Sequence, residues 1–213
     1  MNYDLFKRIF ETGFSIFLLL LFWPVMVLTV LWIKLFSSEG PVFADTPKRV
    51  GKNGSLFYAY KFRSMIPNAH ELMRTDPKLK KLYEQYKKGS YKLHDDPRLI
   101  YGGQLIRRFS VDEMPQLLNV IKGEMALIGP RPYYADELAE QQEKYPQTKK
   151  YIEDVLSAKP GITGMWQVSG RSNINFDKRI ALDAYYSKNK NFWMDLIILI
   201  KTPWAMISGR GAV

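Results

Sequence analysis

Residues 12–33 read TGFSIFLLLLFWPVMVLTVLWI, a stretch of 22 residues without a charged side chain. As an α-helix it would be about 33 Å long, which is enough to cross a hydrocarbon core of about 30 Å. Bulky apolar residues cover every face of that helix, which argues against the core helix of a soluble domain. No small-residue cleavage site follows the stretch, which argues against a signal peptide. The stretch therefore predicts a membrane segment.

Pro24 divides the stretch into halves of about 15–18 Å, each roughly half the thickness of a bilayer. Proline removes a backbone hydrogen bond and collides with the preceding turn, so we expect the helix to break or kink there. Basic residues flank the stretch on both sides, namely Lys7, Arg8, Lys34, Lys48, Arg49 and Lys52. A spanning helix prefers basic residues on its cytoplasmic side alone. We therefore predict a re-entrant helix, with an ordinary kinked span as the alternative; in both cases the rest of the chain is cytoplasmic.

The composition excludes several chemistries. The chain has 213 residues, no Cys and two His, which rules out a thiolate nucleophile, a Cys-zinc site and a three-His metal site. The net charge is +10, and residues 37–213 carry +9 of it. That charge indicates an anionic partner: nucleic acid, acidic lipid or a phosphorylated substrate. We predict two parts, a re-entrant membrane-anchoring helix over 1–36 and a cytoplasmic, membrane-associated domain over 37–213.

The predicted fold class is α+β and mostly helical, with the re-entrant membrane helix, interfacial amphipathic helices and a small β-hairpin. Residues 51–54 (Gly-Lys-Asn-Gly) are typical of a hairpin turn between strands at 42–43 and 56–60. Helices are predicted over residues 67–88, 111–121, 134–157 with a break at Pro146, 176–187 and 191–208.

The last predicted helix, over 191–208, carries Phe192, Trp193 and Trp204 next to Lys190 and Lys201. Bulky aromatic residues beside lysines are typical of a helix that lies on a bilayer. A core helix of the cytoplasmic domain explains the same residues equally well.

The most informative polar segment is Arg107-Arg108-Phe-Ser-Val-Asp112-Glu113-Met-Pro115-Gln116. Ser110 and Glu113 match a capping box, so plain helix capping is one interpretation. A cap does not require two adjacent acids beside two arginines, however. Asp112 could act as a nucleophile on phosphorus, and Asp112 and Glu113 together could hold Mg²⁺, which prefers oxygen ligands.

Several cations could bind phosphate. Arg107 and Arg131 are suited to bidentate contact with phosphate oxygens. Lys61 and Arg63 follow a predicted strand and lie near a turn, where a solvated basic edge is the alternative. We therefore predict a phosphate-binding set of Arg107, Arg131, Lys61 and Arg63.

Residues 159–171 form a predicted loop with three glycines, an indole, an amide and two cations. Such a loop can approach a nucleotide closely, although its spacing matches no P-loop. Its candidate nucleotide-binding or sugar-binding residues are Gln167 and Arg171. His70 and His94 lie in polar sequence and are predicted to be solvated surface residues.

Taken together, these motifs resemble the monotopic phosphoglycosyl transferases of bacterial sugar transfer. The resemblance covers nearly the whole chain in order, through residues 7–11, 12–33 with Pro24, 40–43, 61–65, 96–98, 107–116, 119–123, 129–132, 160–171 and 182–186. The closing region looks most like the galactose-1-phosphate and glucose-1-phosphate transferring members of the family. Between Phe43 and Gly51 the family's aromatic-x-Gln pattern is replaced by Ala44-Asp-Thr-Pro47-Lys-Arg49, which leaves that loop without an assigned role.

The resemblance implies an enzyme that moves a sugar 1-phosphate from a UDP-sugar to polyprenyl (undecaprenyl) phosphate. It implies a ping-pong reaction in which Asp112 takes the phosphosugar covalently and releases UMP, while Glu113 helps to hold Mg²⁺. The phosphate-binding arginines of the family fall on Arg107 and Arg131, and its helix-breaking proline falls on Pro24.

The resemblance also implies the partners and the location. These are UDP-sugar, polyprenyl phosphate and membrane lipid, at the cytoplasmic face of the bacterial inner (plasma) membrane. A homodimer is compatible with the sequence, and nucleic acid is the least expected partner. Two rival functions remain: a non-catalytic, membrane-anchored basic adaptor that binds acidic lipid or nucleic acid, and a direct glycosyltransferase that would release UDP in place of UMP.

Overall fold

The first helix, α1, runs without interruption from Tyr3 to Phe36. The computed structural model describes residues 2–88, 93, 96–170 and 174–207 of the chain. The side chain of Asn2 caps α1 by accepting a hydrogen bond from the peptide N–H of Asp4. Pro24 lies inside α1 and the helix continues past it, so the kink expected at this proline stays a prediction. Proline removes one hydrogen bond, and neighbouring groups in membrane helices compensate for that loss.

The apolar surface of α1 is largely uncovered. At 34 residues it is about 51 Å long. It is long and apolar enough to cross a membrane, and only 11% of its most apolar 18-residue window is buried within the protein. A core helix of a soluble domain would be mostly buried, so this exposure supports the predicted membrane segment.

The remaining α-helices are short up to residue 170 and longer after it. In chain order they are α2 (Ala69–Thr75), α3 (Lys80–Lys88), α4 (Gly103–Arg108), α5 (Gln116–Lys122), α6 (Ala135–Lys144), α7 (Ile152–Leu156), α8 (Met165–Val168), α9 (Phe176–Asn189) and α10 (Phe192–Ile207). Turns of 3₁₀-helix lie at Lys52–Gly54, Pro77–Leu79, Val111–Glu113 and Pro146–Tyr151. The helix predicted over 111–121 is therefore a 3₁₀ turn followed by α5.

A small antiparallel hairpin joins β1 (Arg49–Val50) to β2 (Leu56–Phe57). The turn predicted at 51–54 is confirmed, and the peptide N–H of Gly51 closes it by donating to Ser55 O. The predicted first strand at 42–43 was wrong, because the strand nearest the turn pairs with β2. Phe43 instead forms a single bridge with Phe62.

The second sheet pairs β3 (Ala126–Ile128) with β4 (Gly161–Thr163) in parallel. This sheet was not predicted, since residues 159–171 were interpreted as a loop. A Cβ on Gly161 would lie 2.1 Å from the N of Gly129, and one on Gly164 would lie 2.1 Å from the O of Gly129. Two of the three glycines in that segment therefore allow close backbone packing.

The main core surrounds β3. It contains Val120, Met125, Leu127, Ile128, Tyr186 and Ile198. Both halves of α1 pack against the rest of the protein: Phe14 and Leu18 reach this core, and Ile33 packs with Phe62 in a separate cluster. The whole of α1 is therefore attached to one body.

The two alternatives for the last helix both describe part of α10. Ile198 is buried in the main core, which is the behaviour of a core helix. Trp193, Ile200 and Trp204 on α10 are exposed by 70%, 68% and 74%. One side of α10 thus belongs to the core. The same helix also carries large exposed apolar side chains of the kind that an interfacial helix presents.

Candidate active site

A cleft of about 420 Å³ lies between the hairpin region, α2, the segment around α4 and α5, and the loops after β3 and β4. It brings together most of the predicted site residues, namely Lys61, Arg63, Arg107, Asp112, Glu113, Arg131 and Gln167. These residues come from segments up to 106 positions apart, so tertiary packing assembles the site.

Asp112 occupies a 3₁₀ turn, Val111–Glu113, directly after Ser110. Ser110 adopts a left-handed conformation (φ 55°) and its side chain makes no capping hydrogen bond, so the capping-box interpretation was wrong. The peptide N–H of Phe62 donates to Asp112 O at 2.9 Å and fixes the turn to the segment that carries Lys61. Asp112 is 7% exposed. The turn therefore presents a buried carboxylate at the cleft.

Glu113 forms an ion pair with Lys61, with 2.6 Å between Oε1 and Nζ. Both side chains are partly exposed at the cleft. Lys61 was predicted to bind phosphate, but here its ammonium holds a carboxylate. Its positive charge remains close to the adjacent acids, where it favours their ionised forms.

The two neighbouring acids have opposite pKa shifts. Burial raises the pKa of Asp112 to about 6, and the charge of Glu113 adds to that rise against the opposing effects of Lys61 and Arg107. Burial also acts on Glu113, but the ammonium of Lys61 outweighs it and lowers the pKa of Glu113 to about 2. At neutral pH both groups are carboxylates, and Asp112 is the more basic of the two.

Arg107 and Arg131 line the same cleft. Within the described ranges, no ion pair or side-chain hydrogen bond engages the guanidinium of Arg107. The guanidinium of Arg131 lies over the indole of Trp166, 5.1 Å from the ring centroid, and its Nε is 3.9 Å from Glu137 Oε1. Both arginines are therefore placed to receive an anion in the cleft.

Arg63 has a different environment from the one predicted. Its Nε donates to Pro41 O at 2.6 Å, and its Nη1 donates to Ser37 Oγ at 2.8 Å. Arg63 is 3% exposed. Its guanidinium holds the segment that leaves α1, so we omit Arg63 from the proposed phosphate-binding set.

Gln167 follows Trp166 in α8, and both side chains are buried in the cleft wall. The Oε1 of Gln167 and the Nε1 of Trp166 have no hydrogen-bond partner among the described residues. Both atoms therefore remain available for a hydrogen bond to a ligand. Arg171 lies outside the described residues.

Arg49 is a cleft residue that the sequence analysis missed. Its guanidinium stacks on the ring of Tyr134 at 3.3 Å from the centroid, and its Nη1 donates to Pro132 O at 2.9 Å. It therefore braces the segment that follows Arg131. The only signal was its place in the atypical loop 44–49, where no pattern distinguished it from a solvated cation.

His70 also lines the cleft, so its predicted place on the solvated surface was wrong. Burial, together with the nearby charges of Arg49 and Arg98, lowers the pKa of His70 to about 4. His70 is therefore neutral at physiological pH. His94 lies outside the described residues.

The donor set of the cleft fits Mg²⁺. The described residues contain no group of three or more His, Asp and Glu side chains that could form a complete metal cage. Mg²⁺ does not require one, because it is commonly held by one or two carboxylates together with substrate phosphates and water. Asp112 and Glu113 supply that pair of carboxylates at a cleft that also holds two arginines.

The protein thus combines a long, exposed apolar helix with a cleft that holds a buried carboxylate and two arginines. Residues 2–209 match the family model described as bacterial sugar transferase, so the chain belongs to that family.

Three relatives illustrate the family. The undecaprenyl-phosphate galactose phosphotransferase of Salmonella typhimurium is 41% identical over 97% of this chain, which spans 41% of that relative's length. The exopolysaccharide production protein ExoY of Sinorhizobium fredii is 37% identical over 97% of this chain and 87% of its own. The undecaprenyl-phosphate glucose phosphotransferase of Komagataeibacter xylinus is 33% identical over 97% of this chain and 36% of its own.

Proposed function

We propose that this protein transfers a sugar 1-phosphate from a UDP-sugar to polyprenyl phosphate. The main observation that supports this proposal is the buried carboxylate of Asp112 in a cleft with Arg107 and Arg131. Membership of the bacterial sugar transferase family supports the reaction class. The names of two relatives, an undecaprenyl-phosphate galactose and an undecaprenyl-phosphate glucose phosphotransferase, support the lipid acceptor.

The reaction proceeds in two displacements. An oxygen of the Asp112 carboxylate attacks the phosphorus that carries the sugar, and the bond from this phosphorus to the bridging oxygen breaks, so UMP leaves with the electron pair. An oxygen of the acceptor phosphate then attacks the same phosphorus. The bond to Asp112 breaks, which regenerates the carboxylate and gives a polyprenyl diphosphate sugar.

The opposite pKa shifts of the dyad suit this division of work. Burial makes Asp112 the more basic carboxylate, while Lys61 keeps Glu113 ionised. A nucleophile benefits from basicity, and a residue that holds a cation benefits from a permanent charge. Arg107 and Arg131 neutralise the phosphate oxygens as they approach the carboxylate.

Glu113 and Asp112 are the residues that would hold Mg²⁺. When bound, the ion would neutralise charge on the diphosphate and on the departing UMP. Gln167 would contact the nucleotide or the sugar through its unpartnered Oε1.

We further propose that α1 is re-entrant, at the cytoplasmic face of the inner membrane. Near its start, Arg8 donates to Ile121 O at 2.8 Å, and near its end Ile33 is buried against Phe62. Residues 8 and 33 are separated by about 38 Å of helix, more than the hydrocarbon core of about 30 Å. A spanning helix could not hold both contacts with a domain on one side of the membrane.

The absence of cysteine makes this topology testable by labelling. Asp4→Cys and Glu39→Cys each introduce one thiol at an exposed position. Both should react with a membrane-impermeant maleimide in inverted vesicles and not in right-side-out cells. Reaction of Asp4→Cys from the outside only would refute the re-entrant arrangement.

The identity of the released nucleotide tests the reaction itself. With a UDP-sugar, Mg²⁺ and polyprenyl phosphate, we expect UMP. Release of UDP would indicate a direct glycosyltransferase, and release of neither nucleotide would favour the basic adaptor. A homodimer stays a prediction.

A further inference from the structure

The surface of α4 carries an exposed apolar ridge, defined here as Tyr101, Leu105 and Phe109. These side chains are 69%, 58% and 49% exposed. Leu105 and Phe109 are four residues apart, which places them on one face of α4 and its C-terminal turn, and Tyr101 lies in the turn that precedes α4. Soluble proteins rarely leave three large apolar side chains exposed in a row, so we expect the ridge to contact an apolar partner.

The ridge begins at the C-terminal end of α1. Trp32 Nε1 donates to Tyr101 O at 3.0 Å, and the two rings stack with centroids 5.9 Å apart. Gly102 permits this contact, because its φ is 74° and a Cβ there would lie 2.7 Å from Trp32 Nε1. The ring of Phe36 lies 5.0 Å from that of Tyr101. Aromatic residues at the end of a membrane helix mark the bilayer interface, so the ridge starts at lipid level.

The ridge ends beside the active site: its three side chains do not line the described cleft, but Arg107 and Ser110, on either side of Phe109, do. Phe109 lies three residues before Asp112, and Arg107 of the same helix lines the cleft. The guanidinium of Arg108 lies 5.9 Å from the ring of Phe109, which places a positive charge beside the apolar surface. From Leu105 to Phe109 the helix rises about 6 Å. The ridge therefore runs from lipid level to the edge of a cationic, carboxylate-containing cleft.

We propose that this ridge is the docking surface for the isoprenoid chain of the lipid acceptor. The chain lies along Tyr101, Leu105 and Phe109, and its phosphate reaches Arg107 and Asp112. This inference rests on the proposed function. The ridge matches an amphipathic ligand with an apolar chain and an anionic head, because its apolar side chains lie on the same segment as Arg107 and Arg108.

The exposed apolar side chains of α10 provide the contrast. Trp193, Ile200 and Trp204 are at least as exposed as the ridge. No residue of α10 lines the described cleft, whereas Arg107 of α4 and Ser110, next to Phe109, do. A surface that only contacts bulk membrane lipid has no reason to end at the cleft, and α10 has that simpler arrangement.

The test separates the two half-reactions in nanodiscs. Leu105→Gln and Phe109→Gln should keep the burst of UMP that the protein releases without acceptor. Their KM for polyprenyl phosphate should rise about tenfold, since each change removes apolar contact with the chain. They should also lose the preference of the wild type for a long-chain over a short-chain prenyl phosphate. Trp204→Gln is the matched control and should change neither quantity.

Three results would contradict the inference or its basis. An unchanged KM for the acceptor in both ridge variants would overturn it. Release of the ridge variants from acceptor-free vesicles, to the same degree as Trp204→Gln, would identify the ridge as a membrane anchor and also overturn it. Absence of a UMP burst in the wild type would instead refute the proposed function. If Leu105→Gln misfolds and loses the burst, Leu105→Ala is measured in its place, because it also removes apolar surface from the ridge.

Discussion

Two regions of the protein use the same chemical groups in different ways. Each combines one lysine with two carboxylates: a cleft cluster of Lys61, Asp112 and Glu113, and a junction cluster of Lys7, Glu11 and Asp195. The lysine contacts are equally short, at 2.6 Å in the cleft and 2.5–2.6 Å in the junction. The difference between the clusters lies in what surrounds the second carboxylate.

The junction cluster is closed. Asp195 accepts hydrogen bonds from Tyr3 and Lys7 on Oδ2 and from Tyr186 on Oδ1. Glu11 accepts from the peptide N–H of Ile128. These bonds tie the start of α1 to α9, α10 and β3. A buried charge that is fully hydrogen-bonded resists rearrangement, so this cluster fixes the membrane helix in place.

The cleft cluster is open. In the part of the chain that the structure describes, no other residue donates a hydrogen bond to the Asp112 carboxylate. The ammonium of Lys61 instead forms an ion pair with the neighbouring Glu113. An unpartnered, buried carboxylate is therefore available for chemistry, while a fully hydrogen-bonded one stabilises the fold.

The largest expected effect is on activity in the cleft cluster. Asp112→Asn keeps the size of the side chain and removes the nucleophile. We expect UMP release to fall by about 1,000-fold or more, as losses of nucleophiles do in covalent catalysis. Asp195→Asn is the matched change in the junction cluster, and residual activity there should be far higher. Equal losses in both variants would remove the distinction between the clusters.

The next largest effect is on stability in the junction cluster. Asp195→Ala leaves Lys7 and two tyrosines without a partner, so it should destabilise the fold by about 3 kcal/mol. For a chain of this size that lowers Tm by about 6–12 °C, measured by thermal unfolding in detergent. Asp4→Ala breaks the exposed pair with Lys190 and should leave Tm nearly unchanged. A similar Tm for both variants would show that the junction cluster does not stabilise the fold.

A smaller effect is expected when the lysine of the cleft is removed. Lys61→Met frees Glu113 from its ion pair and takes a positive charge from the cleft. We expect UMP release to fall by about 10–100-fold, as it does when groups that support a catalytic residue are lost. Lys122→Met, an exposed lysine paired with Tyr60, is the control and should retain activity. Full activity of Lys61→Met would place Lys61 outside the mechanism.

The mildest test is the pH dependence. Burial raises the pKa of Asp112 to about 6, so the nucleophilic carboxylate is present above that pH and is lost as the pH falls through it. The rate of the UMP burst should therefore fall about tenfold between pH 7 and pH 5 and be nearly level above pH 7. Glu113, with a pKa of about 2, contributes nothing in this range. A rate that is flat down to pH 4 would show that Asp112 is not the titrating nucleophile.

The sequence pattern correctly predicted the features that depend on residues close together in the chain. The uncharged run over 12–33 predicted the membrane helix, and the glycines at 51–54 predicted the hairpin turn. The adjacent acids at 112–113 stood out because no cap requires both. In each case neighbouring residues carry the signal.

The missed features depend on residues far apart in the sequence. β3 and β4 pair across 35 residues through three-residue strands, too short for a periodic pattern. Arg63 is held by Ser37 and Pro41, and Arg49 by Pro132 and Tyr134, which no local pattern shows. From sequence alone, Arg63 was assigned to phosphate binding and Arg49 was left without a role.

The covalent intermediate on Asp112 is the central claim, and intact-protein mass spectrometry tests it most directly. The wild type is incubated with the UDP-sugar and Mg²⁺ in the absence of polyprenyl phosphate, and then quenched in acid. The account predicts a mass increase equal to one sugar phosphate on the wild type, located on the peptide that contains Asp112 and absent from Asp112→Asn. UMP release by the wild type with no such adduct, or the same adduct on Asp112→Asn, would contradict it.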